Sequence, residues 1–309
     1  MMLRRVGFAA TVLLLAQALL AAAQGPVLLQ WQFKEGDKDK FYIEEKTVSK
    51  TTVKVAGMAI DQDQTAVKVS QIIVKSRTVD GVVLEQRIES FNTKMVMMGN
   101  TIEPAKEIED LLKNVVFTIH LSSNGKLTKF EGYDQFIKNV DKASADAGDE
   151  QKAMEMKMFK AVLTEEALSA GSSYPFSVLP NKAVNKGESW KREQSASMGP
   201  LGNFKLGLNL TYKGPADGGM EKVDITGEMS YEAPKADGPD LGFKIAKVDL
   251  NQKKLTGSLL FDTKAKRVSS LELNTVLGGS MTIEVGGMQT QVDLEGTSTQ
   301  TVRVLEKRP

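Results

Sequence analysis

Apolar and polar side chains alternate along most of the chain. Over residues 41–55, Phe41, Ile43, Thr47, Val53 and Val55 fall on one face, while Tyr42, Glu44, Lys46, Lys50 and Lys54 fall mainly on the other. A period of two with β-branched enrichment predicts a half-buried strand. Ala56-Gly57-Met58 turns the chain towards a second strand over residues 65–78. Asp80-Gly81, set between apolar runs, predicts a hairpin into Val82, Leu84 and Ile88. These segments form an antiparallel meander with one dry face.

Residues 104–114 break the pattern. Pro104 suits a first helical turn, and Ala105, Ile108, Leu111 and Leu112 share a stripe, so a short helix is expected at 104–113. Val115, Phe117, Ile119 and Leu121 restore the period of two, and Asn124-Gly125 predicts a second hairpin. Asp134 caps a helix over 134–140, residues 141–150 read as a surface loop, and 151–168 is the strongest helical pattern. On that helix Met154, Met158, Ala161, Val162 and Leu168 share a stripe, widened by Phe159 and Leu163. Gly171-Ser172-Ser173 is expected to end it.

The second half alternates more cleanly. Phe204, Leu206, Leu208, Leu210 and Tyr212 oppose Lys205, Asn209, Thr211 and Lys213. Further strands are expected at 241–248, 255–261, 268–277, 288–294 and 299–304, with turns at Gly278-Gly279 and Gly286-Gly287. The predicted fold is α+β and mainly β, with long curved antiparallel sheets in two units, 24–170 and 171–309. Both units open on a charged glycine turn, Lys34-Glu35-Gly36-Asp37 and Lys186-Gly187-Glu188-Ser189-Trp190. Their spacing exceeds the period of short solenoid repeats, so it indicates either an internal duplication or two meanders that merely look alike.

Residues 1–23 read as a secretory signal peptide: basic Arg4-Arg5, an apolar run over 6–20, then Ala21-Ala22-Ala23. An uncleaved anchor is the competing reading. The expected location is therefore periplasmic or extracellular. Without residues 1–23 the chain carries 38 basic and 39 acidic residues, a balance that gives no electrostatic case for nucleic acid. With no cysteine there are no disulfides, although an exported chain of this length can bury a sufficient core without them.

Candidate chemistry is sparse. His120 is the sole histidine, and no G-x-S-x-G elbow or phosphate-binding loop occurs. No catalytic residue, metal site or cofactor is expected, and the chain reads as a non-enzyme. Asp61-Gln62-Asp63 lacks the glycine and glutamate that a calcium loop needs at its sixth and twelfth positions. The methionines of 95–98 and 154–158 are not spaced to converge on a soft metal, and core filling suits them better.

The opening Trp31-Gln32-Phe33-Lys34-Glu35-Gly36-Asp37 with Phe41-Tyr42, and the later Lys186-Gly187-Glu188-Ser189-Trp190, resemble a family of exported bacterial proteins of unknown function. That resemblance implies a bacterial exported protein and supplies no catalytic residues. In architecture, long meanders covered by a few helices are also similar to half-barrel lipoprotein carriers of the LolA and LppX type. Those hold acyl chains between sheet and helices. Two readings follow. In one, the protein binds an apolar small molecule between sheet and helices, with Met154, Met158 and Val162 lining the lid. In the other it is a structural or protein-interaction component of the cell envelope, and the same stripe is solid core. Neither reading makes it an integral membrane protein once residues 1–23 are removed.

Overall fold

The structure, a computed structural model, describes residues 25–33, 40–102, 106–113, 115–145, 150–197, 202–232 and 244–309. Residues 1–23, the opening turn at 34–37 and Pro104 lie outside the described residues.

The strands are β1 (Val27–Leu29), β2 (Lys40–Val55), β3 (Met58–Arg77), β4 (Gly81–Met97), β5 (Asn100–Ile102), β6 (Val116–Ser122), β7 (Leu127–Glu131), β8 (Lys182–Val184), β9 (Ser189–Ser197), β10 (Asn203–Ala216), β11 (Met220–Glu232), β12 (Lys244–Asp262), β13 (Arg267–Val285) and β14 (Met288–Leu305). The helices are α1 (Lys106–Leu112), α2 (Tyr133–Ala145), α3 (Glu150–Val162) and α4 (Glu165–Ser177). β1 and β8 pair with each other. The rest form one sheet in the order β7-β6-β4-β3-β2-β14-β13-β12-β11-β10-β9, with β5 beside β4. The ends of the chain meet at its centre, where β2 and β14 pair antiparallel from Val55↔Val292 to Tyr42↔Leu305. The hydrogen-bonded path thus runs unbroken from the first expected unit into the second.

Laid flat, eleven strands at ~4.8 Å spacing would span roughly 50 Å. Yet α4 packs against β9 at one edge and against β6 and β7 near the other, so the sheet curls around it. Hydrogen bonds to both edges fasten the end of α4 and the chain that follows it. Trp190 Nε1 donates to Val178 O at 2.9 Å and Arg192 Nε to Ser177 O at 2.8 Å. Arg192 Nη2 also donates to Leu179 O. Asn181 Nδ2 donates to Asn124 O at 2.6 Å in the turn between β6 and β7. The Trp190 and Arg192 donors occupy carbonyls at and just after the helix end, which lack helical partners. The result is an open half-barrel plugged at one end. One core cluster there unites Ile43, Leu84, Ile119, Leu210 and Phe261 with Phe176 and Leu179 of the plug. A second cluster, Ile88, Phe117, Phe136 and Val140, seats α2 and α3 on the β4–β6 wing.

Several expectations are corrected. Gly278-Gly279 is not a turn: β13 runs through it, and a Cβ at Gly279 would stand 2.1 Å from Asp249 O of β12. The strands expected at 241–248, of which 241–243 lie outside the described residues, and at 255–261 belong to the single β12, with register shifts near Lys247 and Lys254. Those expected at 288–294 and 299–304 are the single β14. The helix expected over 151–168 is broken at Thr164, whose side chain accepts from Ala167 N and starts α4. α4 continues past Gly171 to Ser177 with Pro175 inside it. Residues 141–145 are helical rather than loop. The hairpin before β4 exists, but residues 78–80 make its turn, with Thr78 N donating to Gly81 O at 2.8 Å.

Candidate functional site

Antiparallel partners place their side chains on the same face, so the registers define the two faces of the sheet. Ile43, Leu271 and Val302 face the plug. Further along the same strands and on the same face stand Val53, paired with Ile60 and Leu294, and Val55, paired with Val292. Val292 pairs with Met281, which pairs with Val248. Leu277 and Ile283 complete this face of β13. The opposite face carries Lys54, Asp61, Asp63, Lys94, Asp293 and Glu295, all exposed.

This face is thus apolar at the plug and again towards the hairpin tips; between the two, β2, β3 and β14 place Glu45, Thr47, Ser49, Thr51, Gln62, Gln64, Lys68, Ser298 and Gln300 on it, while β13 stays mostly apolar with only Thr275 and Gly279 between its apolar side chains. Beyond the plug, Val53, Ile60, Leu277, Met281, Ile283 and Leu294 remain partly open to solvent. At the hairpin tips beyond them Met58 is 67% and Met288 73% exposed. Contiguous apolar surface of this kind marks an interaction site more often than accident. Two cavities beside the plug measure about 190 and 180 Å³, short of the roughly 300–1,000 Å³ of drug-sized ligand pockets.

Met154 and Met158, expected to line a lid, have their backbones in α3, and their side chains lie outside the described ones. Val162 is half-buried near the end of α3. The described side chains that turn α3 inwards are the buried Met156 and Phe159, the latter edge-on to Phe136. The apolar positions of this face were legible as alternation, but which of them other described residues cover was not.

Polar groups elsewhere form ordinary pairs. His120 Nε2 lies 2.8 Å and Lys129 Nζ 2.5 Å from the Glu131 carboxylate. Lys129 first, then His120, hold that carboxyl below its usual range. Buried Tyr212 donates to Glu221 Oε2 at 2.5 Å; burial, then the Glu221 hydrogen bond and charge, raise the phenol's pKa. Asp61 and Asp63 sit on β3, where Asp61 accepts from Thr52 Oγ1 at 2.7 Å. Among the described residues no group of three His, Asp or Glu side chains could hold a metal ion. No described helix is long and apolar enough to cross a membrane.

Fold and site together define an open, plugged antiparallel half-barrel with an exposed apolar face. The chain belongs to a family of unknown function, DUF6263, whose model matches residues 67–265. No curated protein matches it. Among solved structures it is similar to lipovitellin, in a study of lipid–protein interactions, at 9% identity and a TM-score of 0.43. That match covers 90% of this chain but only 26% of lipovitellin's. The Pseudomonas aeruginosa protein OccK5 (OpdH) is similar over 88% of this chain and 99% of its own, at 6% identity and a TM-score of 0.23. The outer membrane protein OprG of the same organism matches 90% of this chain and 100% of its own, at 8% identity and a TM-score of 0.21. Likenesses this weak carry no functional argument.

Proposed function

We propose that this protein is an exported, non-enzymatic binder of an elongated apolar molecule, held along the open face of its half-barrel. The observation that carries this reading is the apolar stretch beyond the plug, connected to it along β13, with Leu277, Met281 and Ile283 of β13 as its spine and Val53, Ile60 and Leu294 beside them. At ~3.4 Å per residue, the stretch from Leu273 to Ile283 extends over roughly 34 Å, ample for an acyl chain. Burying a methylene completely stabilises by about 0.8 kcal/mol. An open face covers one side of the chain, so each methylene contributes about half that. Such a surface suits loading and release better than permanent storage.

The test is displacement of Nile red by hexadecanol. Ile283→Asp, on the partly open face, should weaken hexadecanol binding about tenfold or more, since a carboxylate there must be desolvated by the chain. Thr282→Asp, one residue along on the polar face, should bind as the unaltered protein does. Absence of saturable binding, or an Ile283→Asp protein that binds normally, would remove the proposal and favour a structural role.

A further inference from the structure

The second cavity beside the plug has features that a packing defect would not explain. It lies between α4 and the sheet, with Ala167, Ala170 and Gly171 above and Leu206, Gln300 and Val302 below. Small residues on the helix hold the space open. Tyr174, Glu45 and Gln194 also line it. Tyr174 is 6% exposed, and its Oη has no hydrogen-bond partner among the described residues. A buried hydroxyl left unpaired is costly and calls for an explanation. Burial raises the phenol's pKa, so the group stays an O–H donor under ordinary conditions. Pro175 lines the same cavity and has no N–H to give the Gly171 carbonyl, its usual i→i−4 acceptor. The cavity thus offers an unpaired donor, a freed acceptor and two amide side chains.

Its charge is already balanced. Glu45 lines the cavity and pairs through Oε2 with Lys68 at 3.0 Å. No lysine or arginine is among the lining residues, so an anionic group would face Glu45 without a free cation. Its position is equally informative. Gln300 pairs with Leu273, where the apolar run of β13 leaves the plug for Leu277 and Met281. The cavity therefore adjoins the inner end of the open apolar face.

We infer that this cavity is the head-group site for the same ligand, and that the ligand is an uncharged single-chain amphiphile bearing hydroxyl or ester oxygens. This rests on the chain-binding reading above. The head accepts from Tyr174 Oη and donates to the Gly171 carbonyl and Gln300, while the chain runs out along β13. An anchored head fixes the register of a chain that the open face alone would let slide.

The experiment compares 1-palmitoylglycerol, palmitate and hexadecane as Nile red competitors on the full protein. The expected order is 1-palmitoylglycerol at least tenfold tighter than either of the others. Tyr174→Phe removes a hydroxyl with no partner among the described residues, so its melting temperature should hold or rise. The preference for 1-palmitoylglycerol over hexadecane should nevertheless fall severalfold. Gly171→Leu sets a bulky side chain at the rim of the cavity, on an exposed position with nothing within 4 Å of a new Cβ, and should obstruct head-group entry, abolishing the preference while leaving hexadecane binding intact. Ile283→Asp should instead weaken all three ligands together. A head preference unchanged in both α4 variants, or 1-palmitoylglycerol binding no better than hexadecane, overturns the head-group site and leaves the chain site standing. No binding of any of the three overturns both.

Discussion

Gly81 shows how a residue can be rightly singled out for the wrong physical reason. Asp80-Gly81 marks a hairpin in the sequence because glycine tolerates positive φ, and the hairpin is present. Gly81 itself, however, already belongs to β4 and pairs with Ser122, and a Cβ on it would stand 2.0 Å from the Leu121 carbonyl oxygen. Its requirement is close approach of a neighbouring strand, which only tertiary structure reveals. Gly81→Val should destabilise by about 1–3 kcal/mol, the usual penalty for overpacking, measurable as a shift of the urea midpoint. An unchanged midpoint would refute the close approach. Leu208 was legible in full: alternation placed it inwards, and it is 2% exposed within the main core. Leu208→Asp buries a carboxylate among apolar neighbours and should cost several kcal/mol, enough to abolish a cooperative thermal transition.

Among the elements, strands were easier to read than the helical region. A period of two persists through long strands whatever covers them, so β2 and β10 were recognised closely. Glycines misled where they sit inside strands: Gly278-Gly279 carries a turn signature, yet β12 and β13 approach each other across it. Helix ends were misplaced because Gly171 and Pro175 look like terminators. α4 continues through them because Trp31 Nε1 bonds Pro175 O at 3.1 Å and Arg192 and Trp190 bond the carbonyls beyond, contacts made by residues distant in sequence. The start of α4 rests on a local device, Thr164, whose Oγ1 accepts from Ala167 N at 3.1 Å. Thr164→Ala should reduce stability by about 1 kcal/mol, read by chemical denaturation. The effect should be mostly restored by Thr164→Ser, because serine keeps the accepting oxygen, and a null result for alanine would mean that packing alone sets the α3–α4 break.

At the scale of the molecule, what the sequence conceals is where cover ends. Alternation reports that a face is apolar without reporting whether anything lies on it. The half-barrel arises because β2 and β14 pair at the centre of the sheet while both edges fold back onto α4. The plug formed by α4 and the β1–β8 pair fills one end only. Among the described residues nothing covers the apolar stretch from Leu277 to Met288, and it is this stretch that is proposed to take the ligand. The measurement that tests this most directly is photocrosslinking with a palmitoyl chain carrying a diazirine near its terminal methyl, followed by peptide mapping. The account predicts adducts on β13 and its neighbours, at Leu277, Met281, Ile283, Val53 or Ile60, and their loss in Ile283→Asp. Adducts confined to α1–α3 or to the charged face of the sheet, or labelling no greater than that of an unrelated protein, would contradict it.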